Sequence, residues 1–330
     1  MKQNPSHNNR NIISRMSDCT LCPRECHADR TAGQTGYCGV TDRLTAARAA
    51  LHFWEEPCIS GTNGSGAVFF SGCNMRCAYC QNYSIAHGRN GREITVARLA
   101  EIFLELQAKK AHNINLVTPT HYVPQIIRAL EKAKSDGLTI PVVYNTSGYE
   151  KTDTLKALDG LVDIYLPDLK YYDSAISRKY SNAPDYFRVA TAAIAEMFRQ
   201  VGPPVFDILP CQDSDVSDPA NEDSDISETA LMKKGVIVRH LLLPDCAQDS
   251  LDIIRYLYET YGNDIYMSIM NQYTPLPQVA SIPALNRRIT DAEYNAVIEY
   301  AISLGVENAF IQEGSTSSKS FIPDFGCEGI

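Results

Sequence analysis

Six short apolar segments, each followed by a stretch of helical periodicity, constrain the fold of this chain most strongly. Segments rich in Val, Ile, Leu and aromatic residues that alternate with amphipathic helices are typical of a parallel sheet with helical crossovers. Six strand-helix units are fewer than the eight of a closed barrel, and periodicity alone also allows an open doubly wound sheet. In both architectures we expect the functional groups at the carboxyl ends of the strands. The predicted strands are 67–71, 113–118, 141–145, 162–170, 235–244 and 264–270, with a short last strand in 308–312.

The first strand leads into the loop GCNMRCAYCQN, which holds Cys73, Cys77 and Cys80 within eight residues. Structural zinc sites use four ligands, and catalytic zinc rarely takes three cysteines from one short loop. An iron-sulfur cubane is held by thiolates at such short spacings, normally by four of them. Three thiolates would leave one iron without a protein ligand. The loop therefore predicts a 4Fe-4S cluster whose open iron binds a small molecule.

The spacing of these cysteines after a strand, with Tyr79 just before the third, resembles the defining motif of the radical S-adenosylmethionine (SAM) superfamily. The segments NTSGY, DLKY, RHLLLP and NQYTP make the chain similar to the branch related to pyruvate formate-lyase-activating enzymes, from about residue 18 onward. The resemblance implies an α/β fold, a partial (β/α)6 TIM-like barrel with a 4Fe-4S cluster and SAM. It also implies reductive cleavage of SAM to methionine and a 5′-deoxyadenosyl radical that abstracts hydrogen from a substrate. A reductant such as flavodoxin or ferredoxin is a further implied partner, and a glycyl-radical protein is the finer expectation for the substrate.

The resemblance also implies which residues contact SAM, although it assigns no catalytic residue. Superfamily members usually carry a Gly-Gly-Glu type motif after the second strand. Here that place is taken by the segment 118–121, Thr-Pro-Thr-His, without a carboxylate. Alternation along a strand sends Arg239 and His240 to opposite faces, and we expect Arg239 to point into the barrel. The cofactor-binding residues expected are Tyr79, Thr120, Asn145, Ser147, Asp168, Lys170 and Arg239, with His121, Gln272 and Tyr273 as further candidates on the substrate side.

Most of these candidates also have a purely structural explanation. Asn145 and Ser147 stand beside a glycine in a sequence that favours a turn. Asp168 and Lys170 suit an ion pair at a strand end. A last helix is predicted after Thr290 and Glu293, which form a capping-box pattern.

Four further cysteines, Cys19, Cys22, Cys26 and Cys38, form a separate set near the N-terminus. Their spacing suits a closed zinc site or a second iron-sulfur cluster, and simple reduced thiols are the remaining alternative. A second cluster would fit a role in feeding electrons to the first, whereas zinc would be a structural clasp.

Charge and composition limit the partners. The formal net charge is -9, of which the segment 211–230 contributes -7 through five Asp and two Glu without Lys or Arg, leaving -2 for the remainder. Such a chain has no basic face for nucleic acid. No apolar run approaches the roughly 20 residues of a membrane-spanning helix and the start lacks an apolar leader, so we expect no membrane partner and a cytoplasmic location. The eleven cysteines then point to metal or redox chemistry rather than to disulfides.

The sequence predicts a disordered segment 1–17, a cysteine-rich region 18–66 and a barrel 67–330 that contains the acidic insertion loop 211–230. The main alternative function is a non-catalytic iron-sulfur electron-transfer or zinc-binding protein. It explains the cysteines but neither the strand-helix series nor the polar groups at strand ends. A nucleic-acid-modifying radical enzyme is disfavoured by the charge.

Overall fold

The computed structural model describes residues 12, 14–87, 90–208, 230–312, 323 and 325–330. Within them the strands form a ten-stranded sheet in the order β10-β9-β8-β6-β5-β4-β2-β1-β3, with β7 paired to β8. The strands are β1 Thr45–His52, β2 Ser65–Phe70, β3 Arg92–Glu93, β4 Ile114–Val117, β5 Val142–Thr146, β6 Ile164–Pro167, β7 Val205–Ile208, β8 Ala230–Leu241, β9 Tyr266–Met270 and β10 Ala309–Ile311.

All pairings from β2 to β10 along this order are parallel. The strands β1 and β3 extend the sheet in antiparallel fashion at one end, and β7 pairs antiparallel with β8. Among the described residues β3 and β10 remain the two edges, so the sheet does not close on itself.

Helices connect the parallel strands. The helices are α1 Pro57–Ser60, α2 Tyr83–Ala86, α3 Val96–Ala108, α4 Val123–Ser135, α5 Thr152–Leu155, α6 Ser174–Ser181, α7 Tyr186–Val201, α8 Ala247–Tyr261 and α9 Asp291–Leu304. Helix α4 buries Ile126, Ile127 and Leu130 on one face, as its periodicity predicts. The predicted capping box is formed at the start of α9, where Thr290 and Glu293 each bond to the backbone of the other. None of the described helices combines the length and the apolar character needed to cross a bilayer.

The predicted fold class is confirmed. Each of six parallel strands is followed by helix before the next parallel strand, and β10 is the last strand of the series. The six are β2, β4, β5, β6, β8 and β9. The sheet curves into a partial barrel, because Glu55 after β1 bonds to Asn115 on β4, Asn145 on β5 and Arg239 on β8. These contacts link the end of β1 to β8, although three strands or more lie between them in the sheet.

Apolar side chains pack on both faces of the sheet. The larger core lies between the sheet and its helices. On the inner face, Val143, Ile164 and Ile237 pack against Cys58 and Ile59 of α1, so that this short helix fills part of the barrel interior. Burial of each such aliphatic side chain contributes roughly 1.5–3 kcal/mol.

The described residues differ from two of the predicted segment bounds. The division at residue 66 falls inside β2, because Ser65 and Gly66 already pair with β1. The cysteine-rich region therefore contributes β1 to the main sheet, where we had expected a separate part. Of the segment predicted to be disordered, Ile12 and Met16 are described and buried in the core. The acidic insertion falls outside the described residues except for Ala230, which begins β8.

Candidate active site

A cavity of about 220 Å³ opens at the carboxyl ends of the parallel strands. Cys73, Cys77 and Cys80 line it from the loop after β2. The other walls come from residues at or after the ends of β4, β5, β6, β8 and β9, where the strand-helix pattern places functional groups. The lining includes Tyr79, Thr118, Asn145, Ser147, Asp168, Lys170, Arg239 and Gln272.

The protein holds the three-cysteine loop by hydrogen bonds to two of its sulfur atoms. The backbone N–H of Met75 donates to Cys73 Sγ over 3.3 Å. The hydroxyl of Ser181, at the end of α6, lies 2.9 Å from Cys77 Sγ. Hydrogen bonds to thiolate sulfur stabilise the charged form that binds metal.

Burial works against ionisation of these thiols when no metal is present. It raises the pKa of Cys73 and the pKa of Cys80, and the neighbouring cysteines of the loop add to the increase. Lys170 lowers both values, although by less than burial raises them. A bound cation would therefore favour the thiolate forms of Cys73 and Cys80.

The three cysteines of the loop offer a donor set of thiols to one cavity, and two of their sulfur atoms accept hydrogen bonds. Among the described residues, no three His, Cys, Asp or Glu side chains are grouped as ligands of one metal ion. In a 4Fe-4S cluster each thiolate binds a different iron, and thiols are the ligands that such a cluster uses. The chemistry of this donor set therefore fits the cluster that the motif predicts.

A buried network of charged groups forms the cavity floor opposite the loop. Arg239 donates from Nε to Asp168 Oδ1 over 3.1 Å and from Nη1 to Glu55 Oε2 over 3.1 Å. Its Nη2 donates to Asn145 Oδ1 over 2.6 Å. The ammonium of Lys170 pairs with the second oxygen of Asp168. Three of the five N–H groups of a guanidinium are used in this way, which leaves two for a ligand.

The pKa shifts in this network show which charges persist. Burial opposes the charge of Arg239, but Asp168 and Glu55 outweigh it and raise its pKa. Burial also opposes ionisation of Asp168, yet Lys170 and Arg239 lower its pKa. For Glu55, burial dominates and raises the pKa in spite of Arg239. We conclude that Asp168 is the fixed anion of the network and that Glu55 titrates more readily.

Ser147 presents an unused polar group at the same cavity. Its Oγ is buried and has no hydrogen-bond partner in the described part of the chain. The neighbouring Gly148 has a φ of 75°, and a Cβ there would lie 2.2 Å from the carbonyl oxygen of Asp168. The Tyr186 hydroxyl lies within hydrogen-bond distance of the carbonyls of Ser147 and Asp168, at 2.7 and 2.9 Å, and its one hydrogen is shared between them. The ends of β5 and β6 are therefore fixed close together, and a ligand can accept the hydrogen bond that Ser147 does not make.

The structure places the remaining candidates differently. Tyr79 is buried, lines the cavity and makes edge contacts with Tyr171 and Tyr273. Gln272 also lines the cavity, whereas Tyr273 donates to the carbonyl of Leu285 over 2.6 Å. As alternation predicts, His240 lies on the face opposite to Arg239, between the Leu169 carbonyl and the Ser250 hydroxyl.

Thr120 and His121 are held by partners outside the cavity lining. Thr120 lies in a 3-10 turn, Thr120–Tyr122, and its hydroxyl donates to the buried carboxyl of Glu150 over 2.5 Å. His121 bonds to the backbone carbonyl of Ser71 over 2.7 Å. Neither residue is among those that line the cavity. Thr118, with a φ of 57°, reaches the cavity in their place.

Sequence reasoning missed Glu55 and Asn115. Asn115 Nδ2 donates to Glu55 Oε1 over 3.0 Å, so Glu55 is held by amides from two strands as well as by Arg239. Asn115 is a polar residue at an inward position of an apolar strand, and that is a usable signal. Glu55 precedes Pro57 in an irregular segment, and no periodic pattern places it in the barrel.

Residues 67–213 match the family model of the radical SAM superfamily. The matched segment contains the three-cysteine loop, Asn145, Ser147, Asp168 and Lys170. The match covers 147 of the 330 residues, and it agrees with the resemblance recognised from the loop. It does not show that the chain belongs to the branch of pyruvate formate-lyase-activating enzymes.

The chain is also similar to individual proteins. The uncharacterized protein MJ0674 of Methanocaldococcus jannaschii is 24% identical over 296 residues, which cover 86% of this chain and 74% of that protein. SuiB of Streptococcus suis, in a crystal structure with bound SAM, aligns with a TM-score of 0.47 and 14% identity over 73% of this chain. Methylornithine synthase (PylB) aligns with a TM-score of 0.47 and 12% identity over 70% of this chain. The chain covers 48% of SuiB and 59% of PylB, and likeness at these scores supports no inference about substrate or partner.

Proposed function

We propose, from the match of residues 67–213 to the family model of the radical SAM superfamily, that this chain reductively cleaves SAM at its cavity and abstracts hydrogen from a substrate. The observation that carries the proposal is the meeting of three cysteines with Ser147, Lys170 and Arg239 around one cavity. An electron-transfer protein needs a cluster but no such set of polar groups beside it.

Cys73, Cys77 and Cys80 would hold the cluster, and the fourth ligand position would face the cavity. When bound, the cluster supplies the electron that cleaves SAM to methionine and a 5′-deoxyadenosyl radical. The Ser181 hydroxyl steadies the Cys77 sulfur, and the buried loop excludes water from the metal side of the cavity.

The polar groups of the chain would position SAM. Its carboxylate suits the two unused N–H groups of Arg239 or the ammonium of Lys170, because both cations remain charged in this site. The free Ser147 hydroxyl can bond to the ribose. Asp168 holds Arg239 and Lys170 in place through its two oxygens, so it would orient the cations rather than contact SAM.

For the substrate we propose a glycine Cα of another protein, as in glycyl-radical activation. The support is the resemblance of NTSGY, DLKY, RHLLLP and NQYTP to the activating enzymes and the short connection between Gln81 and Thr95. A ferredoxin- or flavodoxin-class protein would be the reductant, and the cysteine content favours the reducing cytoplasm as the location. Formation of a protein glycyl radical, detected by electron paramagnetic resonance (EPR) on mixing with a candidate glycyl-radical protein, would test this finer proposal. Absence of the radical with active SAM cleavage would reject it.

The test of SAM cleavage is anaerobic reconstitution with iron and sulfide, reduction with dithionite, and assay of 5′-deoxyadenosine. We expect product from wild type and none from Cys77→Ala. The matched control is Cys58→Ala, since Cys58 is equally buried but packs in the barrel interior away from the loop. Product from the control and none from Cys77→Ala supports the proposal. Equal product from Cys77→Ala, or none from a wild type with a full cluster, contradicts it.

A further inference from the structure

We propose that the outer edge of β1 is a docking site for a polypeptide substrate, and that the C-terminal residues of the chain occupy this edge until the substrate replaces them. The C-terminal segment is defined as residues 323 and 325–330. The docking site is argued from the contacts of this segment, and only the reaction of a bound polypeptide rests on the proposed function.

The C-terminal segment bonds to the backbone of β1. The N–H of Cys327 donates to the carbonyl of Ala47 over 3.0 Å, and the N–H of Ala49 donates to the carbonyl of Glu328 over 2.8 Å. On this edge β3 pairs with only the first two residues of β1, so it leaves the following backbone groups to another partner. Main-chain bonds to a sheet edge are a recurring way to bind peptides, because every polypeptide carries the same backbone groups.

The same segment reaches the cavity. Pro323 is one of the residues that line it. The ring of Phe325 contacts the ring of Phe69 edge-on, with 5.4 Å between the centres, and it packs against the cluster that includes Phe69 and Val117. Both of these residues line the cavity as well. The segment thus forms the cavity wall beside β1 and β2, whereas the residues proposed to bind SAM stand on or after β5, β6 and β8.

Few contacts hold the segment in place. Besides the two backbone bonds, Glu328 forms an ion pair with Arg48 over 2.6 Å, and the Glu328 side chain is 61% exposed. The guanidinium of Arg92 donates to the carbonyl of Ile330 over 3.3 Å. An exposed ion pair contributes little, because water and salt screen it. A second polypeptide that makes the same backbone bonds can therefore compete with the segment for β1.

The path of the segment predicts which residue of a substrate reacts. Pro323 lies at the cavity, and Cys327, four residues later, bonds to Ala47. A polypeptide on this path places in the cavity the residue four positions before the one that donates to Ala47. Transfer of one hydrogen atom from its Cα to the 5′-deoxyadenosyl radical breaks one C–H bond and forms another, and the unpaired electron stays on the polypeptide.

Gly329 allows a variant that loosens the segment without deleting it. It has a φ of 72°, and a Cβ there would lie 2.1 Å from the carbonyl oxygen of Ala49. Gly329→Ala should therefore detach the segment from β1. Gly160→Ala is the matched control, because Gly160 has a φ of 80° but, in the described part of the chain, no heavy atom beyond its neighbours lies within 4 Å of such a Cβ.

Hydrogen–deuterium exchange of the anaerobically reconstituted full-length protein tests the attachment. In Gly329→Ala, the amide of Ala49 should exchange at least tenfold faster than in wild type, because it loses its bond to Glu328. Exchange in β4 should stay unchanged, and Gly160→Ala should leave the Ala49 amide at the wild-type rate. Equal rates at Ala49 in wild type and Gly329→Ala would overturn the proposal.

Binding is measured with a fluorescent synthetic peptide of residues 323–330. By fluorescence anisotropy, the peptide should bind the reconstituted variant that ends at residue 322 at least tenfold more tightly than it binds wild type, whose edge is occupied. Full-length Gly329→Ala is a second acceptor and should also bind more tightly than wild type. A peptide that carries Gly329→Ala should bind at least tenfold more weakly than the native peptide. Equal affinities of the two peptides, or no binding to either acceptor, would overturn the docking site.

The path is tested with two α-deuterated peptides, the shortened variant, SAM and dithionite. One peptide carries Pro323→Gly with deuterium on its Cα, and the other carries deuterium on Gly326. Mass spectrometry of 5′-deoxyadenosine should find at least tenfold more deuterium with the first peptide. Equal transfer, transfer from the second peptide alone, or product without deuterium would overturn the path. Peptide binding without SAM cleavage would keep the docking site and reject the proposed function, whereas SAM cleavage without peptide binding would do the reverse.

Discussion

Glu150 should make the protein less stable as the pH rises from about 4.5 to about 7. Its side chain is 1% exposed, and one carboxyl oxygen accepts hydrogen bonds from the hydroxyls of Thr120 and Thr146. The other oxygen is buried without a partner. Burial raises the pKa of Glu150 from an ordinary value of 4.5 to about 7, and the two hydroxyls offset only part of this effect.

The sign and size follow from linkage. The folded-state pKa lies above that of the unfolded chain, so the stabilisation from protonated Glu150 is complete below pH 4.5 and is lost as the pH rises through 7. At about 1.4 kcal/mol for each pKa unit, the loss amounts to about 3 kcal/mol. Glutamine preserves the acceptor for both hydroxyls and cannot ionise.

The assay is the free energy of unfolding in urea, for wild type and Glu150→Gln, between about pH 4.5 and about pH 8. The variant should gain about 3 kcal/mol relative to wild type across this range. Glu196→Gln is the control. Arg199 lowers the pKa of Glu196, so the stabilisation from ionised Glu196 is present above pH 4.5 and is lost only at lower pH. The stability difference between wild type and Glu196→Gln should therefore stay constant across the assay range. A difference between wild type and Glu150→Gln that does not change with pH would refute the reasoning.

Four further substitutions test the site and its scaffold. Gly148→Ala should cost about 3 kcal/mol in urea unfolding and abolish SAM binding, because its Cβ would meet the Asp168 carbonyl at 2.2 Å; a binding-competent variant would contradict this. Ser147→Ala should raise the Kd for SAM about fivefold by calorimetry, which is about 1 kcal/mol for one lost hydrogen bond. Thr120→Val should leave that Kd unchanged, and a loss as large as that of Ser147→Ala would restore Thr120 to the site. Thr290→Ala should lower the unfolding free energy by about 1 kcal/mol through the lost cap, and an unchanged value would show that the capping box contributes nothing.

The sequence was sufficient for the parts of the fold that depend on local patterns. Parallel strands are buried on both faces and therefore appear as continuous apolar runs, which is why β2, β4, β5 and β8 were found. The strands β1 and β7 were missed, because Ala-rich and short segments lack that signal. The contact of α1 with the barrel interior depends on tertiary packing alone.

The same division holds for the site. Polar residues directly after apolar strands, such as Asp168 and Lys170, line the cavity as the topology requires. Thr120 stands only three residues beyond the end of β4, and a single turn of 3-10 helix was enough to direct it to Glu150 instead. Glu55 could not be found from the sequence, because its partners Asn115, Asn145 and Arg239 lie on distant segments.

The measurement that tests the central claim most directly is the amount of 5′-deoxyadenosine formed from SAM by the anaerobically reconstituted and reduced protein, compared with Cys77→Ala. The account predicts product from wild type and from Cys58→Ala. It predicts no product from Cys77→Ala that is folded to the same extent as wild type. Wild-type protein that carries its full iron and sulfide and binds SAM, yet forms no 5′-deoxyadenosine under reduction, would contradict it.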